Sequence, residues 1–338
     1  MRGEVSMKRN NFLDVLKGIC ILLVILTHFD WVEPERLKYL FPFWMNPAVP
    51  IFMIISGYVF TESFKRKNVS TFKEAYNLKG IVDKVIRYTV PLIIIYAIEV
   101  PVKTIILQQP IRISELVYQF FLGGYGPGSY YYPYMIEFIF LFPLIYFAIK
   151  KWDFRGLVLC GAANILYEVI KVPMGMTGAV FRLIVLRYIF AIAFGCYISM
   201  GKMQLKKWMG IASFVFGAAF IYIVCYTGYK PVFFNRWSRT SMLAVFYIAP
   251  IAYLLITRCK WECKPLAYMG KASYNIFFAQ MAFFHIVNTV MGGIPGTFVP
   301  MLITYACCIV LGILFYKVET PITKKVLSWN AKLFEKKA

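Results

Sequence analysis

Acidic residues are scarce in this chain: 16 Asp and Glu stand against 37 Lys and Arg, and only two histidines occur in 338 residues. Two histidines and no CxxC pair leave no ligand set for a zinc site. The eight cysteines (Cys20, Cys160, Cys196, Cys225, Cys259, Cys263, Cys307 and Cys308) lie mostly within apolar runs and read as small buried hydrophobes. No internal repeat is visible, and no soluble domain interrupts the sequence. A cleavable leader is not expected either, because the first apolar stretch is too long and too polar for a signal-peptide core and has no small-residue cleavage site after it.

What is present is apolar. The chain is 60% hydrophobic and 18% aromatic, with a mean hydropathy of +0.65. Soluble domains are about 45–50% apolar, so this is an integral membrane protein. The net charge of +21 resembles that of a nucleic-acid binder. Most of the basic residues, however, fall in short loops between hydrophobic runs, where lipid attraction and topological anchoring account for them. The sequence therefore predicts an all-α polytopic fold without a nucleic-acid partner. It forms one membrane-embedded domain over 1–338, with a basic tail over 319–338.

Ten segments are long enough to span, near 12–29, 44–62, 88–107, 130–149, 156–171, 178–199, 208–228, 240–257, 268–288 and 299–318. The fifth is diluted by Asn164, Glu168 and Lys171, and 116–126 is too short to cross, which suits a re-entrant or interfacial piece. Basic residues cluster in alternate loops, first at 63–87 and then at 150–155, 202–207 and 258–264. The end of the chain adds Lys324, Lys325, Lys332, Lys336 and Lys337. The intervening loops hold few, and the asymmetry predicts both termini inside.

The first span carries Asp14, Lys17 and His28 in an otherwise apolar run. Ionisable groups in hydrocarbon are costly and face a protein interior or a watery cavity. At 100° per residue the three share one helix face, with Lys17 and His28 about 16 Å apart. Asp14 and Lys17, an i,i+3 pair, can neutralise each other. A helix-end histidine that only packs is the plain alternative.

Six stretches in order resemble the membrane acyltransferase-3 family, whose relatives include fucose 4-O-acetylase-like proteins. They are Arg9 with LDVLKGI (13–19) and His28; FMIISGY (52–58); KVIRYTVP (84–91); YYYPYMIE (130–137); GKASYNIFFAQ (270–280); and ETP (319–321). Together they cover nearly the whole chain. Two departures stand out. The family's first-span Arg is Lys17 here, which keeps the charge but loses the planar fork. The SYxIF run ends in Gln280 where the family often has His, leaving a hydrogen-bonding role there. His285 lies about 140° round the helix from it.

The resemblance implies an O-acyltransferase, most simply an O-acetyltransferase, of a bacterial cytoplasmic membrane. Acyl-coenzyme A would be its donor, a cell-surface or lipid-linked glycan its acceptor, and no bound cofactor or metal would be needed. Membrane lipid would be its surroundings. His28 is then the catalytic base or the acyl carrier. Asp14 and Lys17 order the inner mouth of the site, and Lys84 and Arg87 meet the donor's phosphates. Ser56, Tyr58, Tyr132, Tyr274, Gln280 and Glu319 line the site or pack beside it. Tyr130, Tyr131 and Tyr132 suit either a sugar platform or an interfacial belt. A solute transporter also fits buried charge in a multi-span bundle, but the missing repeat counts against it. A non-catalytic scaffold leaves the ionisable stripe unexplained.

Overall fold

The computed structural model describes residues 11–106, 108, 110–292 and 298–335. Arg9, Lys336 and Lys337 therefore lie outside the described residues. Among those described, helices are the only regular elements. They run α1 (Asn11–Thr27), α2 (Glu33–Lys38), α3 (Phe41–Trp44), α4 (Ala48–Arg66), α5 (Phe72–Ala75), α6 (Leu78–Pro101), α7 (Ile113–Phe121) and α8 (Tyr131–Trp152). There follow α9 (Phe154–Ile170), α10 (Gly178–Leu183), α11 (Ile189–Ser199), α12 (Lys207–Tyr226), α13 (Met242–Arg258), α14 (Lys264–Lys271), α15 (Ser273–Met291) and α16 (Phe298–Glu335).

Six helical stretches among the described residues are long and apolar enough to cross a membrane: Phe41–Arg66, Phe72–Ile105, Tyr131–Trp152, Lys207–Tyr226, Ser238–Arg258 and Phe298–Glu335. Helices α1, α9, α11 and α15 occupy the other expected segments. The outward faces of α12 and α16 carry Val215, Phe216, Tyr222, Leu302, Ile303, Val310 and Leu314, all exposed. Apolar surface on that scale needs a cover, and lipid supplies it.

Several expected boundaries differ from the structure; the third segment, expected from 88, begins ten residues earlier, at Leu78. The segment 178–199 is broken: α10 gives way at Ile184 to a 3-10 turn, Val185–Tyr188, before α11 begins. The segment 268–288 is broken at Ala272, between α14 and α15. The last helix runs for 38 residues, far past 318. Helix α6 ends at Pro101 and continues as a π-helical turn, Val102–Ile106. A proline lacks the N–H that the regular ladder needs, and a widened turn accommodates the gap. The stretch 116–126 is amphipathic α7 followed by a loop.

Packing is closest where glycines meet backbone. A β-carbon on Gly18 would strike the Leu266 carbonyl, and one on Gly270 would strike that of Asp14, so α1 and α14 touch through reciprocal glycines. Gly57 and Gly195 do the same for α4 and α11, against Ile192 and Ile54. Without a hydrophobic drive between helices in lipid, such close approach supplies the attraction. The core that results, drawn largely from α1, α4, α8, α11 and α13, surrounds a cavity whose mainly apolar wall carries a few charged and polar side chains.

Candidate active site

The cavity holds about 530 Å³. From α1 it takes Lys17, Ile21, Val24 and Thr27, and from the turn that follows it His28, a spacing that keeps to one helix face. From α4 it takes Phe52, Ser56 and Phe60, and from α15 it takes Ser273, Tyr274 and Phe277. Its wall also includes Arg36, Asn46, Tyr130, Arg182, Arg187 and Trp237. The ionisable stripe of the first span thus faces a protein cavity and not lipid.

Asp14 sits one turn from Lys17, 3% exposed, with its carboxylate 2.7 Å from the Lys17 ammonium. Lys17 reaches the cavity wall; Asp14 stands behind it and balances its charge. At the other end of the stripe, the His28 ring lies 5.9 Å from that of Phe284. The loop after α7 crosses directly over His28. A β-carbon placed on Gly128 would stand 3.6 Å from His28 Nε2 and 3.1 Å from Phe277, and Gly128 has φ +96°. Only glycine holds that backbone without strain and leaves the space above the imidazole open.

That loop is anchored by Glu99, which is fully buried in α6. Its carboxylate accepts from the Tyr125 N–H at 2.9 Å and from the Gly126 N–H at 3.2 Å. Two charge-assisted bonds to consecutive backbone amides fix the loop's height over the cavity. Beside it, Lys103 pairs with Glu115 at 2.5 Å and lies 4.5 Å above the Tyr125 ring. His285 stacks on the Tyr125 ring, with centroids 5.7 Å apart, and is not among the residues that line the cavity.

Of the residues expected at the site, His28, Lys17, Ser56 and Tyr274 line the cavity together, and Asp14 adjoins it through Lys17. Tyr274 also donates to the Tyr88 carbonyl at 3.1 Å. Tyr58, Tyr132, Gln280, Glu319, Lys84 and Arg87 are not among the lining residues. The Tyr132 hydroxyl shares a hydrogen bond of 3.1 Å with Thr89, while Tyr130 and Tyr131 take the cavity side. Gln280 is fully buried, and neither polar atom of its amide has a partner. Glu319 accepts from Asn275 at 2.9 Å and from Thr323. Lys84 lies 4.9 Å from the ring of Phe60, a wall residue, and 4.8 Å from that of Phe64. Arg87 is exposed.

Arg182, Arg187 and Glu99 are functional candidates that the sequence reading passed over. Each is an ionisable group inside an apolar segment, the same signal that picks out His28. Arg187 is 3% exposed; its Nη2 donates to Tyr188 Oη at 2.8 Å and to Thr240 Oγ1 at 2.9 Å. The 3-10 turn that carries it is pinned by Glu137, which accepts from the Val185 N–H at 2.8 Å. Glu168 and Lys171, which dilute the fifth segment, form a buried ion pair. Among the described residues, no group of three or more His, Cys, Asp or Glu side chains could hold a metal ion.

A cavity inside a helical membrane bundle, with several cations on its wall and an imidazole under a fixed loop, is a setting suited to group transfer. The model of an acyltransferase domain, that of the acyltransferase 3 family, matches residues 10–317, and the chain belongs to that family. It is a membrane acyltransferase. No curated protein and no solved structure matches the chain.

Proposed function

We propose that the protein is an O-acetyltransferase of a bacterial cytoplasmic membrane. It takes the acetyl group from cytoplasmic acetyl-coenzyme A and gives it to a hydroxyl of a cell-surface or lipid-linked glycan. One observation carries this reading: Lys17 and His28, about three helical turns apart, open onto a single cavity. With both termini inside, as the basic loops predict, Lys17 marks the donor's side and His28 the acceptor's. Lys84, beneath the Phe60 wall, and the exposed Arg87 supply positive charge where a polyanionic donor arrives.

In the reaction, His28 takes the proton of the acceptor hydroxyl as that oxygen attacks the thioester carbonyl. The new C–O bond forms, the C–S bond breaks, and the proton passes from the imidazolium to the departing thiolate. Imidazole suits both proton transfers near neutral pH. In a two-step variant His28 itself carries the acetyl group between donor and acceptor.

The test is the purified protein in liposomes with radiolabelled acetyl-coenzyme A and a mixed glycan acceptor. Label is expected on glycan, and His28→Ala is expected to lower its rate about 10²–10⁴-fold at unchanged protein yield. Solute flux without any label transfer would overturn the reading in favour of a transporter. A labelled acyl-protein trapped in the absence of acceptor would select the two-step route.

A further inference from the structure

The cavity wall contains Lys17, Arg36, Arg182 and Arg187 and not one Asp or Glu. The charge of Lys17 is met by Asp14. No ion pair among the described residues involves any of the three arginines. The nearby carboxylates are otherwise engaged: Glu137 accepts from Val185, Glu168 holds Lys171 and the Phe234 N–H, and Glu33 pairs with Arg239. Three guanidinium groups without an ion-pair partner therefore line the same cavity as His28; the Glu168 carboxylate is near enough to Arg187 to act on it electrostatically.

Two of them are left short of acceptors. Arg187 Nη1 and Arg182 Nε are buried without a hydrogen-bond partner, although Arg187 Nη2 is fully engaged. Unmet donors on a buried cation are costly. An oxyanion relieves that cost, and the guanidinium's planar fork fits a carboxylate or a phosphate in particular. Aromatic faces flank the same place. Arg187 lies 5.5 Å from the Trp237 ring and 4.4 Å from that of Tyr188, and Arg182 lies 5.5 Å from that of Tyr130. Trp237 is itself half exposed, on a left-handed backbone with φ +53°, a conformation that bulky residues seldom adopt. Flat rings beside cations offer a sugar ring a stacking surface and its charged substituent a partner.

Resting on the acetyl-transfer reading above, we infer that the acceptor is anionic: Arg182 and Arg187, with Arg36 at the rim, bind a carboxylate or phosphate carried by the glycan and so hold its hydroxyl at His28. The charge can sit on the sugar, as in a uronic acid, or on the diphosphate of a lipid carrier. The chemistry of recognition is the same, and the experiment separates the two.

Liposomes with the full-length protein and labelled acetyl-coenzyme A are offered three acceptors: a neutral oligosaccharide, the same one with a uronic acid, and the neutral one on a polyprenyl diphosphate. A charged acceptor is expected to exceed the neutral one at least tenfold in kcat/KM, mainly through KM; which charged one leads identifies the source of the charge. Arg187→Gln and Arg182→Gln are expected to cut that ratio about tenfold. Arg187→Lys, which keeps the charge and guards against misfolding, is expected to retain part of it. A wild-type ratio near one, or a ratio that the glutamine variants leave as it was, overturns the inference while acetyl transfer stands. Failure to acetylate any of the three overturns the proposed function and this inference with it.

Discussion

Asp14 and Lys17 form an ion pair whose cation also reaches the cavity, so stability and chemistry can be tested at one position. Their ion pair is set in the core, with the Lys17 side chain 23% exposed and that of Asp14 4%. Lys17→Met removes the cation and is expected to destabilise the protein by about 3 kcal/mol, the lower end for a broken buried pair. The double variant Asp14→Asn with Lys17→Met restores charge balance. It is expected to recover the melting temperature in detergent without recovering acetyl transfer. If both return together, Lys17 is only a structural partner. Gly128 is the second sensitive position. Gly128→Ala places a methyl group between the loop and the imidazole and strains a backbone at φ +96°. The expected result is a fall in kcat of roughly tenfold or more with donor KM unchanged; an unchanged kcat would mean that nothing reacts above that ring.

Among the elements, the α7–α8 loop and the α4–α11 contact have separate tasks. Glu99 ties the loop from within α6, so Glu99→Ala is expected to lower activity while amide hydrogen exchange rises over 122–130 and not elsewhere. Uniform deprotection would show Glu99 to be a global stabiliser. The α4–α11 contact is a matter of assembly. Gly57→Leu drives a side chain into the Ile192 backbone and is expected to abolish the monodisperse peak in size-exclusion chromatography. Val215→Leu, on the exposed face of α12, is expected to leave that peak intact. Helix positions were largely legible, because long apolar runs punctuated by basic clusters leave few alternatives in a bilayer. The breaks at Ile184 and Ala272 were not. Neither junction carries a proline, and polar residues of the kinds beside them (Arg182 and Arg187, Lys271 and Ser273) also occur within continuous helices of this chain; tertiary packing of α14 on α1 and of the 3-10 turn on Glu137 decides them.

For the molecule as a whole, the site was half legible. The stripe on α1 could be read because a single helix has a fixed period, so Lys17 and His28 had to share a face. The arginines could not be placed on the same cavity, since that depends on how α2, α10 and the 3-10 turn meet α1 in space. Gln280 and Glu319 lie on matching motifs yet off the cavity wall, which shows that a motif's order along the chain does not fix what its side chains face. Orientation is a whole-molecule property too. Cysteine reporters at Lys151→Cys and Lys230→Cys, in a variant freed of native cysteines, are expected to react with impermeant reagent from opposite sides of intact cells. Labelling from the same side would refute the topology on which donor and acceptor ends are assigned.

The 38 residues of α16 measure about 57 Å, nearly twice a hydrocarbon core of about 30 Å, so the rod must jut well past the lipid. Its distal part is braced: Asn330 Nδ2 donates to Asp83 Oδ1 at 2.8 Å, next to Lys84 at the root of α6. The distal part of α16 thus acts as a guy-line on the root of α6, beside the lysine proposed to meet the donor. Shortening the protein after Lys325, or splicing a bulky tag there, is expected to slacken that stay and to be felt as weaker coenzyme A capture.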